Sequence, residues 1–123
     1  MLRGIRGAVG IEENTREAIL GATRDLLEKL AAANGVEPDR VSMILFTATT
    51  DLTAAFPATA AREMGWTRVP LMCSPELEVK DALPRIVRVM ILADTERGAR
   101  EIRHLFLGRA AALRPDLAAE GPR

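Results

Sequence analysis

Arginine supplies most of the positive charge in this chain, and several arginines stand where a solvated charge is not expected. Only two of the 17 cationic residues are lysines. Arg88 lies inside the apolar run Ile86–Leu92, and Arg6 lies in a glycine-flanked opening. A guanidinium stays charged and binds carboxylates through two parallel hydrogen bonds. Because an unpaired buried cation is costly, these arginines predict a small site for an anionic, dicarboxylic ligand.

The remaining side chains narrow the chemistry further. One histidine, His104, and one cysteine, Cys73, do not make a zinc site, and the chain has no phosphate loop, dinucleotide fingerprint or Gly-x-Ser-x-Gly elbow. A Cys73–His104 nucleophile pair stays open as a minor alternative, since a lone cysteine is more often structural. Arginines with Glu76 suit a reaction that needs orientation and charge stabilisation without a covalent intermediate. We expect neither a metal nor a cofactor.

Charge and composition exclude other classes of function. The 17 acidic and 17 basic residues give zero net charge, so no basic field attracts nucleic acid or an anionic membrane, and neither is an expected partner. A single cysteine excludes an internal disulfide and fits a reducing compartment. No apolar run approaches the roughly 18 residues of a membrane span, which favours a soluble, cytoplasmic protein. A GC-rich genome also favours arginine over lysine, so the bias by itself carries little weight.

The hydrophobic pattern predicts the elements that must hold these side chains. Asn14 with Glu17 resembles a capping box at the start of a long helix, and Gly35 is a plausible end. Pro57 opens a second helix that stops at Gly65. The predicted strands are 3–11, 41–48, 68–73, 85–93 and 104–107, the last continuing through 110–113, and the helices are 15–34 and 57–64. Residues 95–103 form a loop with a helical turn.

This order predicts a single α+β domain over residues 1–123, with a small mixed β-sheet and helices on one face. Aromatic residues make up only 3% of the chain, so the core is aliphatic. Both the modest core and the uncovered face of the sheet favour an oligomer. The tail from about residue 118 is expected to fray.

Each candidate site residue also has a simpler interpretation. Arg88 could form a structural ion pair with Glu or Asp, and Arg6 could be a solvated charge at a strand edge. Glu76, which follows Pro75, would ordinarily be a solvated loop carboxylate. Arg62 is most simply a surface residue, and Phe56 a hydrophobic staple or core residue.

Several short motifs together resemble one family over about residues 3–117. These motifs are Arg3–Ala8, Thr47–Leu52, Phe56–Ala58, Ala61–Glu63, Val69–Pro70 with Cys73 and Glu76, Arg88–Met90, Ile102–His104 and Leu113–Leu117. Their joint order and spacing are similar to the monofunctional chorismate mutases that form a trimeric pseudo-α/β barrel, which are unrelated in fold to the all-helical chorismate mutases. The resemblance implies a homotrimer with active sites between adjacent subunits. It also implies the Claisen rearrangement of chorismate to prephenate, the branch step toward phenylalanine and tyrosine.

The resemblance assigns roles to individual residues. Arg88 is expected to face the substrate's ether oxygen, where negative charge builds as the C–O bond breaks. Arg6 is expected to bind a carboxylate, and Glu76 to accept a hydrogen bond from the ring hydroxyl. Cys73 contacts the same region without acting as a nucleophile, and Phe56 forms an apolar wall.

Five further substrate-binding residues follow from the same resemblance, and two of them depart from the family pattern. Arg62 and the Leu113–Arg114 segment are expected to help close the site and attract the dianion. Phe106 stands where the family usually has a tyrosine, and Met72 stands where a threonine is common. Both changes make the pocket less polar, so we expect weaker ground-state binding rather than loss of chemistry.

Two other functions remain open at this point. A trimeric imine deaminase of related architecture also places an arginine around a small carboxylate, although it does not explain the stretch from Phe56 to Arg62 or the Leu113–Pro115 motif. A non-catalytic trimer that senses an aromatic-pathway acid is the second alternative. Conversion of chorismate by the purified protein would distinguish the mutase from both alternatives, because only the mutase consumes it.

Overall fold

A computed structural model describes residues 1–113 as one five-stranded sheet with two α-helices. The strands are β1 (Leu2–Gly10), β2 (Val41–Ala48), β3 (Leu71–Pro75), β4 (Ile86–Asp94) and β5 (Leu105–Leu107). The helices are α1 (Arg16–Asn34) and α2 (Ala58–Glu63), and short 3-10 helices span Pro38–Arg40, Ala99–Glu101 and Gly108–Ala112. The predicted α+β class, with a mixed sheet and helices on one face, is confirmed.

The sheet has the strand order β3-β2-β4-β1-β5, with β4 at its centre. Strand β4 is antiparallel to both of its neighbours, while the outer pairs β1–β5 and β2–β3 are parallel. The register sets Arg88 of β4 opposite Ala8 of β1 and Thr47 of β2. Cross-strand partners share a face of a sheet, so these side chains lie on the same side.

Helix α1 covers the other side of the sheet and forms the main core with it. Its buried leucines, Leu26, Leu27 and Leu30, join the buried side chains of the strands in a single apolar cluster. The helix approaches β1 most closely at Gly7, where an added Cβ would lie 2.6 Å from Leu30 Cδ1. A side chain at residue 7 would therefore force the Leu30 side chain, or the helix that carries it, to shift.

The N-terminal end of α1 departs from the prediction by one residue. Thr15, not Asn14, is the N-cap, and its Oγ1 accepts a hydrogen bond from the Ala18 N–H at 3.1 Å. The Asn14 Oδ1 instead accepts hydrogen bonds from the Thr53 and Ala54 N–H groups. The predicted C-terminal end is confirmed, because Gly35 adopts a left-handed conformation with φ 62°.

Two other predicted boundaries were wrong. Strand β3 begins at Leu71 and runs to Pro75, so it lies further along the chain than the predicted 68–73. Residues 110–113 do not extend the last strand, because Gly108 has φ 58° and turns the chain into the 3-10 helix Gly108–Ala112. The predicted helical turn within 95–103 is present as Ala99–Glu101. The tail from residue 118 lies outside the described residues.

Candidate active site

Strand β4 presents Arg88 on the face of the sheet that α1 leaves open. The alternate residues Val87, Val89 and Ile91 are buried in the core, whereas Arg88 and Met90 lie on the outer side. The Arg88 side chain keeps 40% of its surface exposed. The apolar run therefore does not bury this cation in the core but sets it in a shallow, largely apolar surface.

Glu76 and Thr47 fix one edge of Arg88. The Arg88 Nε lies 3.0 Å from Glu76 Oε1, and the Thr47 hydroxyl donates a hydrogen bond to that same oxygen. The Nε–Oε1 contact is an ion pair without aligned hydrogen-bond geometry. Only 14% of the Glu76 side chain is exposed, so the interpretation of Glu76 as a solvated loop carboxylate was wrong. The Glu76 backbone N–H also donates to the Ala48 carbonyl at 2.9 Å.

The terminal nitrogens of Arg88 have a different environment. Among residues 1–113, no side chain or carbonyl forms a hydrogen bond with them. A guanidinium whose edge Nε is held while its terminal N–H groups are available can bind an oxyanion from one direction. Arg88 therefore forms a structural ion pair and can also bind a ligand.

Arg6 and Phe106 form the opposite wall. The Arg6 Cζ lies 5.8 Å from the centre of the Phe106 ring, within the range of a cation–π contact, and only 4% of Phe106 is exposed. The Arg6 backbone N–H donates to His104 Nδ1 at 3.0 Å. His104 thus caps the end of the β1–β5 pairing and fixes the backbone that carries Arg6.

These side chains enclose a cavity of about 190 Å³, which we call the Arg88 pocket. Its lining residues are Arg6, Gly7, Leu45, Thr47, Arg88, Val89, Met90 and Phe106. Glu76 stands beside this pocket and contacts it through Thr47 and Arg88. Two cations, one carboxylate and apolar walls suit a small anionic ligand with an apolar body.

A second and larger cavity of about 600 Å³ lies along the edge strand β3 and the loop before α2. We call it the Phe56 cleft. Two of the predicted site residues, Phe56 and Cys73, line it, and Arg16 is also part of the lining. Phe56 is 69% exposed and Cys73 is also exposed. None of residues 1–113 lines both cavities, so the predicted site residues that line a cavity fall into two separate groups within one copy of the chain.

The remaining predicted residues have mixed positions. Leu113 packs beside Phe106 in a small second apolar cluster. Met72 is 63% exposed on the outer face of β3, opposite Leu45, and lines neither cavity. Arg62 is exposed on α2, where its Nη2 donates to Thr59 Oγ1 at 3.2 Å. Arg114 lies outside the described residues.

Comparison with known proteins decides the family. The family model for chorismate mutase type I matches residues 2–117. The chain belongs to the type I chorismate mutase family. It is 49% identical over 118 residues to the chorismate mutase AroH of Thermus thermophilus, a match that covers 95% of this chain and 97% of that protein. The chorismate mutase AroH of Bacillus subtilis is 45% identical over 118 residues, covering 95% of this chain and 93% of that protein.

A solved structure gives the same result at the level of the fold. The chorismate mutase from Clostridium thermocellum superposes with a TM-score of 0.88 at 43% identity, covering 89% of this chain and 98% of that one.

Within residues 1–113, no cluster of three or more His, Cys, Asp or Glu side chains could hold a metal ion. None of the helices in this part of the chain is long and apolar enough to cross a membrane.

Two residues whose hydrogen bonds hold the groups around the Arg88 pocket were missed from the sequence. Thr47 was seen only as part of a motif, although it is the polar residue on the outer side of an apolar strand. Alternation along β2 was the signal that could have placed it beside Arg88. His104 was considered as part of a motif and of a minor nucleophile pair with Cys73, and nothing in the local sequence indicates that it accepts the Arg6 N–H.

Proposed function

We propose that this chain catalyses the rearrangement of chorismate to prephenate, the branch step toward phenylalanine and tyrosine. The observation that carries the proposal is the Arg88–Glu76 pair at the Arg88 pocket of a chain that belongs to the chorismate mutase family. Among the described residues that line this pocket there is no cysteine, serine or histidine. A unimolecular pericyclic reaction needs the reactive conformer to be held and its developing charge to be stabilised. It needs no covalent intermediate, and the groups around the Arg88 pocket match that requirement.

Arg88 is the principal catalytic residue of the proposed reaction. Negative charge grows on the ether oxygen as the C–O bond breaks, and the terminal N–H groups of Arg88 donate to that oxygen. Because Glu76 already holds the Nε edge at 3.0 Å, the guanidinium does not have to reorganise during the reaction. This interaction strengthens in the transition state and therefore raises kcat.

Glu76 and Arg6 orient the substrate on either side of Arg88. The second carboxylate oxygen of Glu76 accepts the hydrogen bond from the ring hydroxyl of chorismate. Arg6 binds a substrate carboxylate, and the Phe106 ring beneath its guanidinium sets the direction of the side chain. Phe106 lacks the hydroxyl with which a tyrosine would donate a hydrogen bond to a substrate carboxylate. The second carboxylate of the substrate therefore depends on Arg62 or on Arg114 for its charge partner.

The complete site is proposed to form between neighbouring copies in a homotrimer. The Arg88 pocket opens on the outer face of the sheet, while the Phe56 cleft lies along the β3 edge. A rotation axis that sets the β3 edge of one copy against the outer face of the next brings a Phe56 cleft to each Arg88 pocket. Such a head-to-tail contact closes into a ring, and three copies give the pseudo-α/β barrel.

The apolar outer face supports this assembly. Leu45 of β2 is paired in register with Met72 on one side and Met90 on the other, which makes a continuous apolar row across three strands. Met72 is 63% exposed and Met90 is 36% exposed in a single copy. A neighbouring subunit would cover this row and remove it from water. Met72 then serves the interface beside the site.

The match over residues 2–117 favours the mutase over the imine deaminase. One experiment distinguishes a mutase from a sensor. Purified protein is mixed with chorismate, and the loss of chorismate absorbance is followed. The same sample is examined by light scattering for its mass. We expect turnover by a trimer. A trimer that is stabilised against heat by chorismate but leaves it unconverted would contradict catalysis and support the sensor.

A further inference from the structure

Thr47 occupies an unusual position on the outer face of β2. Its neighbours on that face are apolar or belong to the site, and its register partners are Arg88 of β4 and Ser74 of β3. The side chain is half-buried and lines the Arg88 pocket. Its hydroxyl donates to Glu76 Oε1, the same oxygen that lies 3.0 Å from Arg88 Nε.

This shared oxygen restricts how Glu76 and Arg88 can pair. A free carboxylate beside a guanidinium prefers a two-point contact in which both oxygens accept parallel N–H bonds. In that arrangement Glu76 would occupy a terminal nitrogen of Arg88. With Oε1 fixed by Thr47 and the Glu76 backbone N–H fixed by the Ala48 carbonyl at 2.9 Å, the carboxylate meets only the Nε edge.

We infer that Thr47 is a positioning residue for the proposed chorismate rearrangement, since its hydroxyl keeps Glu76 off the terminal nitrogens of Arg88. The inference rests on the proposed function. Thr47 does not touch the reacting atoms. It leaves the Arg88 fork open toward the ether oxygen and holds Oε2 of Glu76 toward the ring hydroxyl.

The kinetic test compares Thr47→Val, which keeps the shape of the side chain, with Thr47→Ser, which keeps the hydroxyl. We expect Thr47→Val to lower kcat about 10- to 100-fold, the range for losing a hydrogen bond to a charged group, with a much smaller change in KM. Thr47→Ser recovers most of that loss. Thr23→Val is the matched control, because Thr23 is buried in α1 and its hydroxyl has no hydrogen-bond partner among residues 1–113. It keeps the parent kcat.

A second measurement tests the contact without any activity. The melting temperatures of Thr47→Val, Glu76→Ala and the double variant form a double-mutant cycle. We expect the double variant to lose less than the sum of the two single losses, because the contact can be removed only once. Additive losses would overturn the inference, as would a Thr47→Val variant with the parent kcat.

Failure of the inference and failure of the proposed function give different results. A parent protein that does not convert chorismate overturns the proposed function and, with it, the role of Thr47 in the reaction. A parent that converts chorismate while Thr47→Val and Thr47→Ser are equally impaired overturns only the role of the hydroxyl.

Discussion

The Arg88 pocket and the Phe56 cleft differ in how far one copy of the chain completes them. In the pocket, an ion pair, a hydroxyl donor and a cation–π contact hold the charged groups before any ligand arrives. In the cleft, Asn14 anchors the loop through the Thr53 and Ala54 N–H groups, yet Phe56 remains 69% exposed. Within one copy, contacts therefore hold the charged side chains of the Arg88 pocket in place, whereas the Phe56 side chain of the cleft is left exposed.

Physical chemistry explains this division. Charged groups that stabilise a transition state must be oriented in advance, and a central strand fixes them best. An apolar wall only has to exclude water and fill space, so a surface loop supplied by another subunit can serve. The comparison predicts that charge variants change kcat within a subunit, while cleft variants depend on the neighbouring copy.

The largest effect is expected for Arg88→Ala. Losing the donor to the ether oxygen costs about 3–4 kcal/mol of transition-state stabilisation, or roughly 100- to 1000-fold in kcat. The matched control is Arg24→Ala, which removes an exposed helix arginine whose one ion-pair partner among residues 1–113 is Glu28, at 3.5 Å. Turnover is followed by chorismate absorbance. An Arg88→Ala enzyme with parent kcat would mean that the pocket is not the charged half of the site.

Subunit complementation tests the two-copy arrangement directly. Phe56→Ala alone is expected to lower kcat/KM about 10-fold and to leave folding stability within about 0.5 kcal/mol, because the side chain is exposed. Mixed trimers of Phe56→Ala and Arg88→Ala chains should regain activity, since some interfaces then join an intact pocket to an intact cleft.

The control for this experiment is each variant mixed with itself under the same exchange conditions. Proven mixed trimers whose activity is only the average of the two separate variants would place both halves of each site in one chain. That result would remove the proposed contact between the β3 edge and the neighbouring outer face.

An intermediate effect is expected for Phe106→Tyr, which sharpens the comparison at the wall of the pocket. Phe106 is 4% exposed and lies beneath Arg6, so a tyrosine there would add a hydroxyl that can donate a hydrogen bond to a substrate carboxylate beside Arg6. We expect a lower KM and an almost unchanged kcat, because the residue does not contact the ether oxygen. A sharp rise in kcat with a constant KM would contradict this assignment.

The hydrophobic pattern was enough to predict most helices and strands, and the boundaries that it missed have physical causes. Helix α1 and strands β1, β2 and β4 follow from apolar spacing, because each has one buried face. The Thr15 cap was missed because a distant loop engages the Asn14 side chain. The turn at Gly108 was missed because a positive φ reverses the chain without changing its hydrophobic pattern.

The site was predictable only where residue type alone limits the chemistry. Arg88 and Arg6 stand out in the sequence because cations are rare in apolar strands. Thr47 and His104 have roles that depend on strand register and on pairs of elements distant in sequence, which a single chain of letters does not specify. The match of Glu76 to the family motif identified a residue that composition alone would have left as a solvated loop carboxylate, although only 14% of its side chain is exposed.

The smallest effect is expected at Asp94, whose exposed ion pair contrasts with the half-buried Arg88–Glu76 pair. A hydrogen bond and charge attraction from the N-terminal ammonium, which lies 2.7 Å from Oδ1, lower the pKa of Asp94, and Arg40 adds to this. Because the folded pKa is below the unfolded one, the stabilisation is present above about pH 4 and is lost as the pH falls through the lowered value.

Asp94→Asn should therefore reduce the melting temperature slightly at neutral pH, and the difference from the parent should vanish in acid. The kcat should not change, since Asp94 ends β4 six residues, or about 20 Å, beyond Arg88. Melting curves at several pH values, with turnover at pH 7, test both parts. A difference that grows in acid would contradict the lowered pKa of Asp94, and a lowered kcat would mean that the end of β4 is coupled to the Arg88 pocket. The exposed ion pair of Asp94 and the half-buried Arg88–Glu76 pair could then no longer be treated as independent.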